Sequence, residues 1–184
     1  MIIGIIILVL IVLLVMIVIG MYNKLVKERN FVEEAFSTID AYLKKRYDLI
    51  PNLVATVKGY KDYEGSALKG IIEARNKYMS AGSIDEKVES ENMITGALGR
   101  LFAVTEAYPD LKANTNFMNL QNQLQEIETD ILQARKYYNG SVREYNTMCE
   151  TFPSVLIANN FGFKKYPFFK VENEEEKQNV KVEF

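Results

Sequence analysis

Residues 2–19 are Ile, Leu, Val and Met broken only by Gly4, and the first charged residue is Lys24. Wound as a helix at about 1.5 Å per residue, such a run spans roughly 27–30 Å, the hydrocarbon thickness of a bilayer. A helix apolar on every face has no side to offer water, so the run decides the environment before the rest of the chain is considered. A cleaved signal peptide would open on a basic region and close on a small-residue cleavage site. Neither pattern occurs here, so the run reads as an anchor, with Ile2, Ile6, Leu10, Leu14 and Ile19 along it and Tyr22 at the interface. Lys24, Lys27 and Arg29 follow, opposed only by Glu28, and no Lys or Arg comes before. The positive-inside rule then sets the amino terminus outside and the body in the cytoplasm.

Charge and composition close off many function classes. The chain carries 22 Lys and Arg against 24 Asp and Glu, and residues 170–184 hold five Glu and three Lys, so the remainder is balanced. Without a basic surplus to displace counterions from phosphates, a nucleic-acid partner is not expected. Histidine is absent, which removes His-dependent triads and zinc or di-iron sites with His ligands. The single cysteine, Cys149, allows neither an internal disulfide nor a CxxC pair.

The body reads as helices. Leu25, Val32, Phe36, Ile39, Leu43, Tyr47, Ile50, Val54 and Val57 follow steps of three, four and seven, one face of a helix. Nothing between Ile19 and Val32 breaks a helix, so anchor and first body helix can be continuous; Pro51 should kink this helix, and Gly65, after Tyr63 and Glu64, should stop it. A shorter helix is predicted over 66–79, with Leu68, Ile71, Ile72 and Tyr78 inward. Ser83 and Glu86 have capping-box spacing for a third helix over 84–107, with Val88, Ile94, Leu98, Leu101 and Phe102 inward. Tyr108, Pro109 and Asp110 mark a turn. Asn114 should cap the last helix, whose register runs from Phe117 through Leu120, Leu124, Ile127, Ile131, Ala134, Tyr138, Val142, Tyr145 and Met148 to Phe152, with Pro153 closing it. The predicted fold class is all-α: one transmembrane helix, then an antiparallel up-down-up-down four-helix bundle with long helices. The predicted boundaries are 1–21 for the anchor, 22–166 for the bundle and 167–184 for a mobile acidic tail. The end of that tail, Val180 to Phe184, has the alternation of a short strand able to add to a partner's sheet.

These residues resemble the LemA family. The most specific block is Leu43-Lys44-Lys45-Arg46-Tyr47-Asp48-Leu49-Ile50-Pro51-Asn52-Leu53-Val54, followed by Val57-Lys58-Gly59-Tyr60. Tyr22-Asn23 and Arg29-Asn30 resemble the family's opening, Ala107-Tyr108-Pro109 and Leu111-Lys112-Ala113-Asn114 its third landmark. Ala134-Arg135, Tyr138-Asn139, Tyr145-Asn146 and Phe152-Pro153 resemble its last helix, and Phe161-Gly162-Phe163 its exit. Phe36 stands where many members carry Trp, and Tyr63 where His is frequent. The resemblance implies an outside amino terminus, one membrane helix, a cytoplasmic antiparallel bundle and no established enzyme activity. It also implies that some relatives shape magnetosome membranes and that others associate with membrane metalloproteases.

Few residues carry candidate chemistry. Arg46, Asp48, Pro51 and Asn52 form either a docking surface at a kink or a structural device, in which Arg46 pairs with a facing carboxylate and Asp48 or Asn52 satisfies backbone that Pro51 leaves unpaired. Phe163, Lys164, Lys165, Phe168 and Phe169 are candidates for the membrane interface, or else close the end of the core. Glu126 and Asp130 share a helix face but lack a third ligand, so no metal is expected. Arg135 near Glu128 and Asp130 reads as an exposed pair, Cys149 as a packing residue, and Gly96 with Gly99 as a place of close helix approach or of small contacts. No nucleophile–base pair or phosphate loop can be assembled, so no enzyme and no cofactor are expected. The reading is a membrane scaffold or adaptor whose partners are the lipid bilayer and an unidentified membrane protein, a membrane metalloprotease being the class that the resemblance suggests. The alternative is a homo-oligomer that self-assembles to shape the membrane.

Overall fold

The computed structural model describes residues 2–59 and 65–170, and every regular element among them is a helix. These are α1 (Ile2–Lys58), α2 (Gly65–Ser80), α3 (Ile84–Thr105), α4 (Pro109–Lys112), α5 (Thr115–Glu150) and α6 (Ser154–Phe161). Contacts divide the chain into two compact units. The first is Met1–Ala41 with Ile131–Phe168, the second Tyr42–Asp130 with Phe169–Phe184.

α1 begins as the apolar run, exposed along its length, and is the one helix among the described residues long and apolar enough to cross a membrane. It continues without interruption into the heptad-like register, where Leu25, Val32, Ile39, Leu43, Tyr47, Ile50, Val54 and Val57 are all buried and Phe36 is half-buried. Pro51 lies inside the helix on an exposed face. The expected stop at Gly65 is wrong. α1 ends at Lys58, one residue past the buried Val57. Gly65 is instead the first residue of α2; Tyr63 and Glu64 lie outside the described residues, as does the predicted tail from residue 171 on.

In the first unit α1 and α5 run antiparallel. The rings of Phe36 and Tyr138 lie 5.8 Å apart, while Tyr166, its ring 5.5 Å from that of Tyr145 two turns later, donates to Glu33 of the preceding turn of α1. Their core joins Leu25, Val32 and Ile39 to Ala134, Val142 and Tyr145, with Ile157 and Ala158 of α6. α6 was not anticipated. The chain breaks after Glu150, and Ser154 donates its hydroxyl to the carbonyls of Met148 (2.7 Å) and Thr151 (3.0 Å), satisfying acceptors that the end of α5 leaves open. Phe152, expected inward, is turned out at this corner because the helix that would have carried it inward has already ended. α6 closes on Gly162 at φ 73°, a left-handed cap that glycine adopts without a side-chain clash, and the N–H of Phe163 returns to the carbonyl of Ala158 at 2.9 Å.

In the second unit, Leu43, Tyr47, Ile50 and Leu53 share a core with Leu68, Ile71, Ala74 and Tyr78 of α2, Ile94, Leu98 and Leu101 of α3, and Phe117, Leu120 and Leu124 of α5. Ile72 faces out, against expectation, since the α2 stripe passes through Ala74 instead. The capping box forms as its spacing predicts: the N–H of Glu86 donates to the Ser83 hydroxyl (3.2 Å), and the Glu86 carboxylate accepts from the N–H groups of Gly82 (2.7 Å) and Ser83 (3.2 Å). Asn114 caps α5 through the N–H of Phe117 at 3.1 Å. α3 stops at Thr105, and Pro109 opens the short α4 where a turn was expected. Gly96 and Gly99 mark no close helix approach, for both are exposed and a Cβ at Gly99 would meet nothing within 4 Å; it is Gly70 that faces another helix, 3.8 Å from the Ala97 methyl.

Candidate functional site

The most elaborate polar arrangement among the described residues is built on Arg46. Its neighbours Leu43, Tyr47 and Ile50 point into the core, so the α1 register leaves the guanidinium at the core margin, where it is only 4% exposed. Two carboxylates meet it. Glu91 of α3, with its side chain wholly buried, accepts from Nη1, and Glu128 of α5, 39% exposed, lies 2.8 Å from Nη2. Nη1 also donates to Thr95 Oγ1 at 3.2 Å, and the Tyr47 hydroxyl donates to Glu91 Oε2 at 3.4 Å. Tyr47 stacks on Tyr78 with ring centroids 4.1 Å apart, and Arg75 Nε donates to the Tyr47 carbonyl at 3.4 Å. Burial, reinforced by the Glu91 carboxylate, drives the Tyr47 phenol well above its ordinary pKa, so it stays protonated and donates.

The cluster links three helices of the second unit. Two carboxylates converge on the Arg46 guanidinium, with Arg75 at the Tyr47 carbonyl. Taking such groups out of water is expensive, and hydrogen bonding from Thr95 and Tyr47 is what makes the arrangement tolerable. Beside it opens a groove of about 380 Å³ lined by Arg46, Thr95, Leu98, Phe102, Leu124 and Glu128 among others. Apolar walls over a few convergent polar groups are what a small-molecule or side-chain pocket needs.

Sequence reasoning named Arg46 but not Glu91. The signal was present: Glu91, Ile94, Leu98 and Leu101 follow steps of three, four and three, which puts the carboxylate on the buried stripe of α3. Asp48, Pro51 and Asn52 do not join Arg46, for all three are exposed on another side of α1. Glu126 and Asp130 are both exposed, and no group of three or more His, Cys, Asp or Glu gathers among the described residues. Arg135 is buried rather than an exposed partner, because it sits beside Ala134 on the inward side of α5. Cys149 is buried, and that burial pushes its thiol up, away from a reactive thiolate.

The first unit holds a different arrangement, at the end of the apolar run. Tyr22 meets Phe161 and Phe163 edge-on at 4.9 and 5.6 Å, and Arg29 lies over the Phe163 ring. Lys164 is exposed, and Lys165 is ion-paired with Glu150, which raises its pKa. The chain then turns back along the helices: the Tyr166 backbone is held at both N–H and carbonyl by Asn146, its hydroxyl donates to Glu33 at 2.9 Å, and the Tyr138 hydroxyl donates to the Pro167 carbonyl at 2.9 Å. The aromatic exit therefore splits. Phe163 stays by Tyr22, Phe168 is exposed beyond Pro167, and Phe169 is buried in the second unit.

A family model described as the LemA family matches residues 35–184. Protein LemA of Metamycoplasma hominis is 27% identical, over 83% of this chain and 70% of that protein. Magnetosome protein MamQ of Magnetospirillum gryphiswaldense is 22% identical, and Magnetosome protein MamQ 2 of Paramagnetospirillum magneticum 23%; the chain spans 64% of the length of each.

Proposed function

The chain belongs to the LemA family, and from that premise we propose that it is a single-pass membrane scaffold, holding a helical body beside the bilayer to bind partner proteins. The observation that carries this reading is the continuity of α1, in which a fully exposed apolar run and a fully buried core seam are parts of one helix. An apolar helix of that length is compatible with membrane anchoring. Lys24, Lys27 and Arg29 immediately after the run favour a cytoplasmic body. The last stretch of α1, with α2, α3 and the opening of α5, fits the up-down-up-down plan, since short connections favour antiparallel neighbours. The family is not known as an enzyme family, and the names of the relatives denote no reaction.

An anchor raises the local concentration of the body near membrane-bound partners, so modest contacts suffice for association. The groove beside Arg46 and the exposed face of Asp48, Pro51 and Asn52 are the surfaces on which we place those contacts. The similarity to MamQ proteins favours a second reading, self-assembly on the membrane that shapes it. In-cell crosslinking with a short-arm reagent, followed by peptide identification after purification in mild detergent, separates the two. Crosslinks to a distinct membrane protein, the metalloprotease class included, support the scaffold. Crosslinks solely between copies, at pairs too far apart for one chain, replace it with self-assembly.

A further inference from the structure

We propose that the corner between α5 and α6 is a second membrane contact, which sets Phe152, Leu156 and Phe161 into the headgroup boundary of the bilayer that α1 crosses. The proposal rests on the membrane reading of α1. The register of the first unit gives the level of this corner. Phe36 faces Tyr138, and Tyr166, whose ring lies 5.5 Å from that of Tyr145, donates its hydroxyl to Glu33, so earlier positions on α1 match later ones on α5. Carried to the end of α5, the same match sets Glu150 level with about position 24, and Phe152 follows at the corner just beyond. Tyr22 is where the apolar run gives way to charge. The other end of α6 reaches the same level independently, since the Phe161 ring lies 4.9 Å from that of Tyr22. The corner before α6 and the Phe161 end of this eight-residue helix thus both lie near the end of the apolar run, which sets α6 at the level of the membrane surface.

One side of α6 is occupied, for Ser154, Ile157 and Ala158 are buried in the first unit. The rest is open and carries three large apolar side chains, Phe152 at 79% exposed, Phe161 at 59% and Leu156 at 54%, with Asn159 and Asn160 exposed beside them. Such a cluster at one end of a water-facing protein marks an interaction surface. Its place selects the occupant, because lipid surrounds the Tyr22 level of an inserted α1 wherever the protein does not. The neighbouring charges suit the same occupant: Lys24, Lys27 and Lys164 are exposed at this end and can reach headgroup phosphates while their stems lie against apolar surface.

The chain has no tryptophan, so one introduced residue reports alone. Full-length Leu156→Trp, Phe152→Trp, Leu14→Trp and Leu132→Trp variants are reconstituted in phosphatidylcholine–phosphatidylglycerol vesicles with and without lipids brominated near the headgroup or deep in the chain. Position 14 lies in the apolar run, and position 132 is an exposed site on α5 well before the corner. The expected result is that 152 and 156 lose at least half of their emission to shallow bromines, 14 loses its emission to deep ones, and 132 keeps its own. Quenching at 14 with none at 152 and 156 overturns the second contact and leaves the anchor standing. Emission retained at 14 overturns the anchor reading, and this proposal with it.

Discussion

The two units solve the same problem, holding α1 against α5, by different means. The second joins three helices through a cluster of charge, Arg46 with Glu91 and Glu128, among largely aliphatic and aromatic residues, and the first unit buries a charged residue too, Arg135. The first relies on tyrosines and amides that hold an extended strip of chain, with Tyr138, Asn146 and Tyr166 bonding the backbone of residues 166 and 167 or the side chain of Glu33. A buried ion cluster is costly to assemble and costlier to break, so it fixes which helices meet. A strip held by a few tyrosine and asparagine hydrogen bonds near the surface opens at less cost. Partner specificity is better placed on the first kind of structure, and adaptation to a membrane surface on the second.

Removing the Arg46 charge is the most direct way to break this contrast. Arg46→Ala takes the guanidinium away from the buried Glu91 carboxylate and is expected to lower stability by about 3–5 kcal/mol in urea unfolding of the detergent-solubilised protein. Arg46→Met with Glu91→Leu should recover much of that loss, since an apolar replacement of a buried pair is often neutral. A loss below about 1 kcal/mol for the single substitution would mean that the cluster does not hold the second unit together. In the first unit, Tyr138→Phe deletes one hydrogen bond to the Pro167 carbonyl and should cost about 0.5–1.5 kcal/mol by the same measurement.

A smaller effect is expected at the start of α3. The N–H groups of Gly82 and Ser83 hold the Glu86 carboxyl below its usual range, so this cap contributes above the unfolded-state pKa and is lost as pH falls through the lower folded value. Glu86→Gln should therefore lower neutral stability slightly and leave stability in acid unchanged, which flattens the acid limb; an unaltered acid limb would show the cap to be idle. The smallest effect belongs to Asp48→Ala and Asn52→Ala. Both positions are exposed, and thermal unfolding should move by no more than about 0.5 kcal/mol, in contrast to Arg46 a turn or so away.

The helical class and the register of α1 and α5 were legible because steps of three and four persist over many turns, and the caps because Ser83 with Glu86 and Asn114 sit where helix ends need acceptors. Glu91 was missed because a carboxylate is presumed solvated until a partner is found, although its spacing from Ile94 and Leu98 pointed inward. α6 was missed because Pro153 reads as a stop, and it does stop α5 before a new helix begins one residue later. Phe152 was misplaced by extending a sound register two residues past the end of its helix.

That α1 is membrane span and core helix at once is the central claim, and single-cysteine labelling tests it most directly. With Cys149→Ser as background, single cysteines at Met16, Lys24 and Glu34, all exposed positions on α1, are treated with a membrane-impermeant maleimide in intact cells and in inverted vesicles. The expected result is that 16 is protected in both, while 24 and 34 react from the inverted side alone. Labelling of position 16 as readily as position 34 would contradict the span and the function built on it.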